Sequence, residues 1–223
     1  MKSRIILISF FLLSLTKSGW SVVKFANDEI REDIEAILQE HELVQSLYNH
    51  LSSSQFTYVI RYNELSEAVD GHIFTNGESL IITLKKGKGF PLAATFVHEA
   101  VHAIQFENGR IAFYKNKDGE WKSDNIDLWE EAEAFVAMLK VMRSVYKNLA
   151  DLKRQSDFMW TLNKKYELYG LEEVITWLAK YYPGLSKTPK NNPAFGNGIL
   201  EGGRFFYLPY KSESSIVNDL VTK

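Results

Sequence analysis

The chain has 223 residues, is 45% hydrophobic and 24% charged, and carries a formal net charge of −2, a composition for a globular fold and not for a disordered segment. So even a balance gives no electrostatic basis for binding nucleic acid, and none is expected as a partner. With no cysteine, neither disulfides nor thiolate metal ligands are available, and a packed core must supply the stability.

Residues 1–21 read as a signal peptide. Lys2 and Arg4 give a basic start, Ile5 to Leu15 an apolar core, and Ser18 and Ser21 small residues for cleavage. The apolar run falls short of the roughly 20 residues that cross a bilayer, so no stable membrane insertion is expected after cleavage; a retained N-terminal anchor is the alternative. Export to a periplasm or to the outside follows, and a cysteine-free exported chain fits a bacterial source better than a eukaryotic secretory route.

Residues 22–223 then read as one domain. Asp28 to Leu51 is expected to be one amphipathic helix, with Ile30, Ile34, Ile37, Leu38 and Leu43 at helical spacing. Phe56 to Tyr62 alternates as a strand. His72 to Thr75 and Glu78 to Thr83 flank Asn76-Gly77, the pair that favours a two-residue hairpin turn. An exposed edge of such a hairpin could pair with an extended peptide through main-chain hydrogen bonds, or could be purely structural.

Next comes a helix from Pro91, whose missing amide is harmless in a first turn, to a left-handed stop at Gly109. It carries His98-Glu99-Ala100-Val101-His102. Imidazoles four positions apart project from one helical face, where they can hold a zinc ion, with a carboxylate beside the first to act as general base. Thr95, His98, His102 and Gln105 share that polar strip; Phe96, Ala100 and Ala103 lie on another face.

A catalytic zinc site takes three protein ligands and a water. No histidine follows His102 and no cysteine exists, so a carboxylate must be the third. Asp127 to Glu133 supplies it, at the start of a helix running through Val145. On that helix Leu128, Ala132, Phe135, Leu139 and Met142 define an apolar face. Glu131 lies near its middle, Glu130 on its margin, and Glu133 points toward solvent. A carboxylate centred on a buried face must be neutral, paired or metal-bound, which favours Glu131 over Glu130. Asp127, one turn earlier, is placed to orient a ligating histidine.

Asp157 to Tyr169 and Leu171 to Tyr182 read as two further helices, broken at Gly170 and Pro183. Residues 187–193 read as loop. The late aromatics Phe205, Phe206, Tyr207 and Tyr210 either pack on the core or lend a tyrosine to stabilise an oxyanion. His72 is read as structural, and His41 and His50 show no partner pattern. The layout is α+β: a small mixed or antiparallel sheet packed on the motif helix, with a mainly helical C-terminal half.

From about Asn76 to Arg143, His98-Glu99-x-x-His102 followed by Glu131 on a second helix resembles the zincin metallopeptidases of gluzincin type. Glu130 to Phe135 is also similar to the second-helix motif of small bacterial zincin-like domains. The resemblance implies a zincin-like fold, Zn²⁺ as cofactor, His98, His102 and Glu131 as metal ligands, Glu99 as catalytic base, and a peptide or protein as substrate. Thermolysin-like members carry an acid four positions after the ligand glutamate; Phe135 stands there instead. An exported binding protein on a zinc-stabilised scaffold of the same kind is the competing expectation.

Overall fold

A computed structural model of the protein describes residues 23–62, 70–124, 126–146, 148–187, 199–201 and 204–205. The predicted leader, residues 1–21, and Phe206, Tyr207 and Tyr210 lie outside the described residues. The fold is α+β. In chain order it runs β1 (Val23–Phe25), α1 (Asp28–Glu40), α2 (Glu42–Ser53), β2 (Tyr58–Tyr62), β3 (Gly71–Thr75), β4 (Leu80–Leu84) and α3 (Gly89–Glu107). There follow β5 (Ala112–Lys115), β6 (Trp121–Asp124), α4 (Leu128–Val145), α5 (Leu149–Gln155), α6 (Asp157–Tyr169), α7 (Leu171–Leu178), β7 (Ile199–Glu201) and β8 (Arg204–Phe205).

One sheet has the order β1-β2-β4-β3. β1 and β4 run parallel to β2, and β3 pairs antiparallel with β4 in the register Gly71 opposite Leu84 and Thr75 opposite Leu80. The sheet is therefore mixed, and β3 is an edge. All five residues of β4 are buried, as a central strand covered on both faces requires. The expected hairpin forms with a longer connection: the strands end at Thr75 and Leu80, leaving Asn76 to Ser79 between them, and the Asn76 side chain accepts from the Glu78 and Ser79 amides. A second sheet, β6-β5-β7-β8, was not visible in the sequence. Its strands are two to four residues long, too short for an alternation to register. It takes Phe205, the first of the late aromatics, into β8.

The predicted helix over Asp28 to Leu51 is two helices. His41 ends α1 and starts α2 in an extended conformation (φ −135°, ψ 109°). The buried residues Ile30, Ile34, Ile37, Val44, Leu47 and Leu51 keep helical spacing across the break, so the pattern conceals it. Both helices pack on α3 and on each other, which one straight rod cannot do. His50, without a partner in the sequence pattern, meets Glu107 at 2.8 Å, and the Tyr58 hydroxyl donates to the same carboxylate. The C-terminal end of α3 is thereby tied to α2 and β2.

α3 lies at the centre, its sides shared between two apolar clusters. One gathers α1, α2, the first sheet and most of α3; the other gathers Ala94 with α4 to α7. α3 begins at Gly89, two residues before Pro91; the proline still falls in the first turn, where its missing amide costs nothing. Gly109 ends the helix at φ +71°, a left-handed value that lets the Arg110 amide reach back to the Gln105 carbonyl at 2.9 Å. No helix among the described residues is long and apolar enough to cross a membrane.

Candidate metal centre

Burying a polar group without a partner costs several kcal/mol at most and about 1–3 kcal/mol in practice. α3 nevertheless buries Glu99, His102 and Gln105, so their partners define what the helix is for. α4 runs back along it. His98 Nε2 lies 3.6 Å from one Glu131 oxygen, and His102 Nε2 lies 3.6 Å from the other. The two Nε2 atoms are 3.2 Å apart. Ligands held tetrahedrally at about 2.0–2.1 Å from a zinc ion sit about 3.4 Å from one another. Among the described residues these three form the one cluster of histidine and carboxylate atoms able to hold a metal. The donor set, two imidazoles and one carboxylate, matches a zinc site with an open position.

The chemistry of the cluster supports the same fit. Burial, and secondarily His102, hold the His98 imidazole well below its ordinary range, so it is neutral and free to ligate at neutral pH. Two nitrogens that close need a shared proton or a cation between them. His102 Nδ1 lies 2.7 Å from Gln105 Oε1. The Gln105 amide nitrogen already donates to the Glu130 carbonyl at 3.1 Å and to Glu133 Oε2 at 3.0 Å. Its oxygen must therefore accept, His102 must carry its proton on Nδ1, and Nε2 is left with the lone pair. His98 is held otherwise. Phe135 packs edge-on against it, ring centres 4.7 Å apart. Its buried Nδ1 has no hydrogen-bond partner among the described residues.

Three sequence expectations are corrected here. Glu133 does not face solvent: it is buried and bound to Gln105 and to Arg110 Nη1 at 2.6 Å. Glu130 is not a marginal residue but is buried, pairing with Arg110 at 2.9 Å. Burial pushes its carboxyl up to about 8, against the pull of Arg110. Asp127 caps α4, accepting from the Trp129 and Glu130 amides, while Glu130 accepts from the Asp127 amide. Orienting a histidine falls to Gln105 instead. The helical wheel erred because α4 is enclosed on more than one side: Arg110, delivered by the turn at Gly109, makes a polar niche for Glu130 and Glu133.

Glu99 lies beside the cluster, and burial followed by the negative Glu131 push its carboxyl well above the usual range. The start of β3 closes over it. A side chain built on Gly71 would begin 2.9 Å from Glu99 Oε1 and 2.8 Å from the Thr95 methyl. Tyr182, just past α7, is half-buried, its ring 6.3 Å from that of Phe135. Its phenol is pushed up to about 12 by burial and then by Glu131 and Glu99, so it is neutral at neutral pH. The late aromatics, read either as core packing or as the source of an oxyanion-stabilising tyrosine, lie outside the described residues apart from Phe205. His72 stacks on Phe74 at 5.2 Å and takes no part in the cluster. No protein-family model, curated protein or solved structure matches the chain.

Proposed function

We propose that the protein is a zinc-dependent metallopeptidase of zincin-like, gluzincin-type arrangement, exported by its N-terminal segment. The observation that carries this is the convergence of His98 and His102 from one helix with Glu131 from the next, beside a buried Glu99. His98 Nε2, His102 Nε2 and a Glu131 oxygen would hold the ion. When bound, zinc polarises a carbonyl and lowers the pKa of a water it holds to about 7.

The protein's own groups do the rest. Glu99 takes the proton from the attacking water and passes it to the leaving amine as the peptide bond breaks. Tyr182 donates its O–H to the carbonyl oxygen as negative charge develops there. Gln105 keeps the His102 lone pair turned to the ligand position. Among the described residues, the outer side of β3, which begins at Gly71 against Glu99, pairs with no strand and would offer main-chain groups to an extended peptide.

The test is a variant series on purified mature protein. Glu99→Gln is expected to keep one zinc per chain and lose turnover, Glu131→Ala to lose zinc, and Tyr182→Phe to lose about 100- to 1,000-fold in kcat with zinc unchanged. Cleavage that survives Glu99→Gln removes the base. Zinc binding with no chelator-sensitive cleavage of any peptide leaves a metal-stabilised binding scaffold instead.

A further inference from the structure

The two histidines of the cluster are held by different means. His102 gives its Nδ1 proton to Gln105 at 2.7 Å. His98 Nδ1 is buried too, but has no hydrogen-bond partner among the described residues. The terminal torsion of a histidine is broad, and an imidazole that turns about it takes its lone pair off the ligand position. Contacts other than hydrogen bonds must therefore set the plane of the His98 ring.

Aromatic rings make those contacts. The His98 ring meets that of His102, centres 4.8 Å apart, and that of Phe135 on α4, centres 4.7 Å apart and inclined by 66°. Phe135 is backed in turn by Phe158 of α6 at 5.3 Å. Phe158 rests on Trp177 of α7 at 4.7 Å and on Tyr181 at 5.2 Å, and those two rings meet at 5.0 Å. Ring contacts thus run without a gap from the ligand position on α3 across α4 and α6 to α7. Aromatic pairs prefer particular inclinations as well as distances, so each ring constrains the plane of the next. An aliphatic side chain would fill the same space and favour no plane. One turn of α4 separates Glu131 from Phe135, so a single helix face brings up the carboxylate and clamps an imidazole opposite it.

We infer that Phe135 and Phe158 are positioning residues: through this aromatic column they fix the His98 ring for metal binding, the task that Gln105 performs for His102 by a hydrogen bond. The inference rests on the metal-centre part of the proposed function and not on turnover. It makes the α6–α7 hairpin, which supplies no ligand, a determinant of metal affinity.

The test uses the full mature chain, with zinc affinity read by competition with a chromogenic chelator and ligand geometry by the visible spectrum of the cobalt-loaded protein. Phe135→Leu and Phe158→Leu keep most of the apolar volume and are expected to stay folded. Phe135→Leu should weaken zinc binding about 10- to 100-fold. Phe158→Leu, one ring further away, should weaken it about 2- to 10-fold. Both should shift the cobalt bands. Leu152→Ala opens a cavity in the same apolar cluster from α5, which gives no ring to the column. It should lower the urea midpoint and leave zinc affinity and cobalt spectrum unchanged. Leu variants that bind zinc as tightly as the parent with the same cobalt spectrum overturn the column, as does an equal loss of affinity in Leu152→Ala. A parent chain that binds neither zinc nor cobalt overturns the metal centre itself.

Discussion

Gln105 and Gly71 act on the site without entering it. The Gln105 carboxamide is committed at both ends, accepting from His102 and donating to α4. Gln105→Ala frees the His102 ring to take either tautomer, and zinc affinity should fall about 10- to 100-fold, measurable by competition with a chromogenic chelator. An unchanged dissociation constant would show that packing alone sets the ring. Gly71 is needed for space, since a Cβ there would collide with Glu99 and Thr95. Gly71→Ala should displace Glu99, the proposed base, by a fraction of an ångström to about 1 Å and lower kcat by up to about 100-fold, with zinc content unaltered. A variant as active as the parent would mean that β3 yields instead of Glu99.

At the scale of elements, the register of α4 against α3 decides whether Glu131 meets the histidines. Two devices fix it: the capping box of Asp127 and Glu130, and Arg110 bridging Glu130 and Glu133 from the end of α3. Each of these acids has a partner that has nothing to do with a metal, which leaves Glu131 free to ligate. Asp127→Ala should cost about 1 kcal/mol of stability, read as a lower urea midpoint. It should also weaken zinc binding, because the first turn that aims Glu131 frays. Loss of stability with full zinc affinity would show that Arg110 alone holds the register.

For the whole molecule, the cluster without a cation is a destabilising feature, since it buries an acid and an imidazole away from their ordinary titration ranges. Without metal, Glu99 is raised above its ordinary value by burial and Glu131, so its share of stability is present below that value and lost as pH rises through the raised one. His98 is depressed; its share is present above the ordinary imidazole value and lost as pH falls through the depressed one. A dication favours both the Glu99 anion and the neutral His98. Zinc should therefore raise the melting temperature over that in chelator, and the increment should widen from about pH 5 to about pH 8. An increment that narrows over that range would place the ion away from Glu99.

The helix that carries His98, Glu99 and His102 was legible in the sequence, because an α-helix turns a spacing of four into one face whatever surrounds it; those three residues needed nothing more. The mixed α+β layout, the hairpin, the helix from Leu128 to Val145 and the break at Gly170 were legible for the same reason, as local periodicities ended by glycine or capped by an acid. Glu131 was reached by projection, and the structure brings it to the two histidines. The break at His41, the niche that Arg110 makes for Glu130 and Glu133, Gln105 as the partner of His102, the fit of Gly71 against Glu99, and Tyr182 against Phe135 were decided by tertiary structure alone. Each depends on which residue of a distant segment stands opposite, and that is a matter of packing in three dimensions, which no periodicity along one helix or strand encodes.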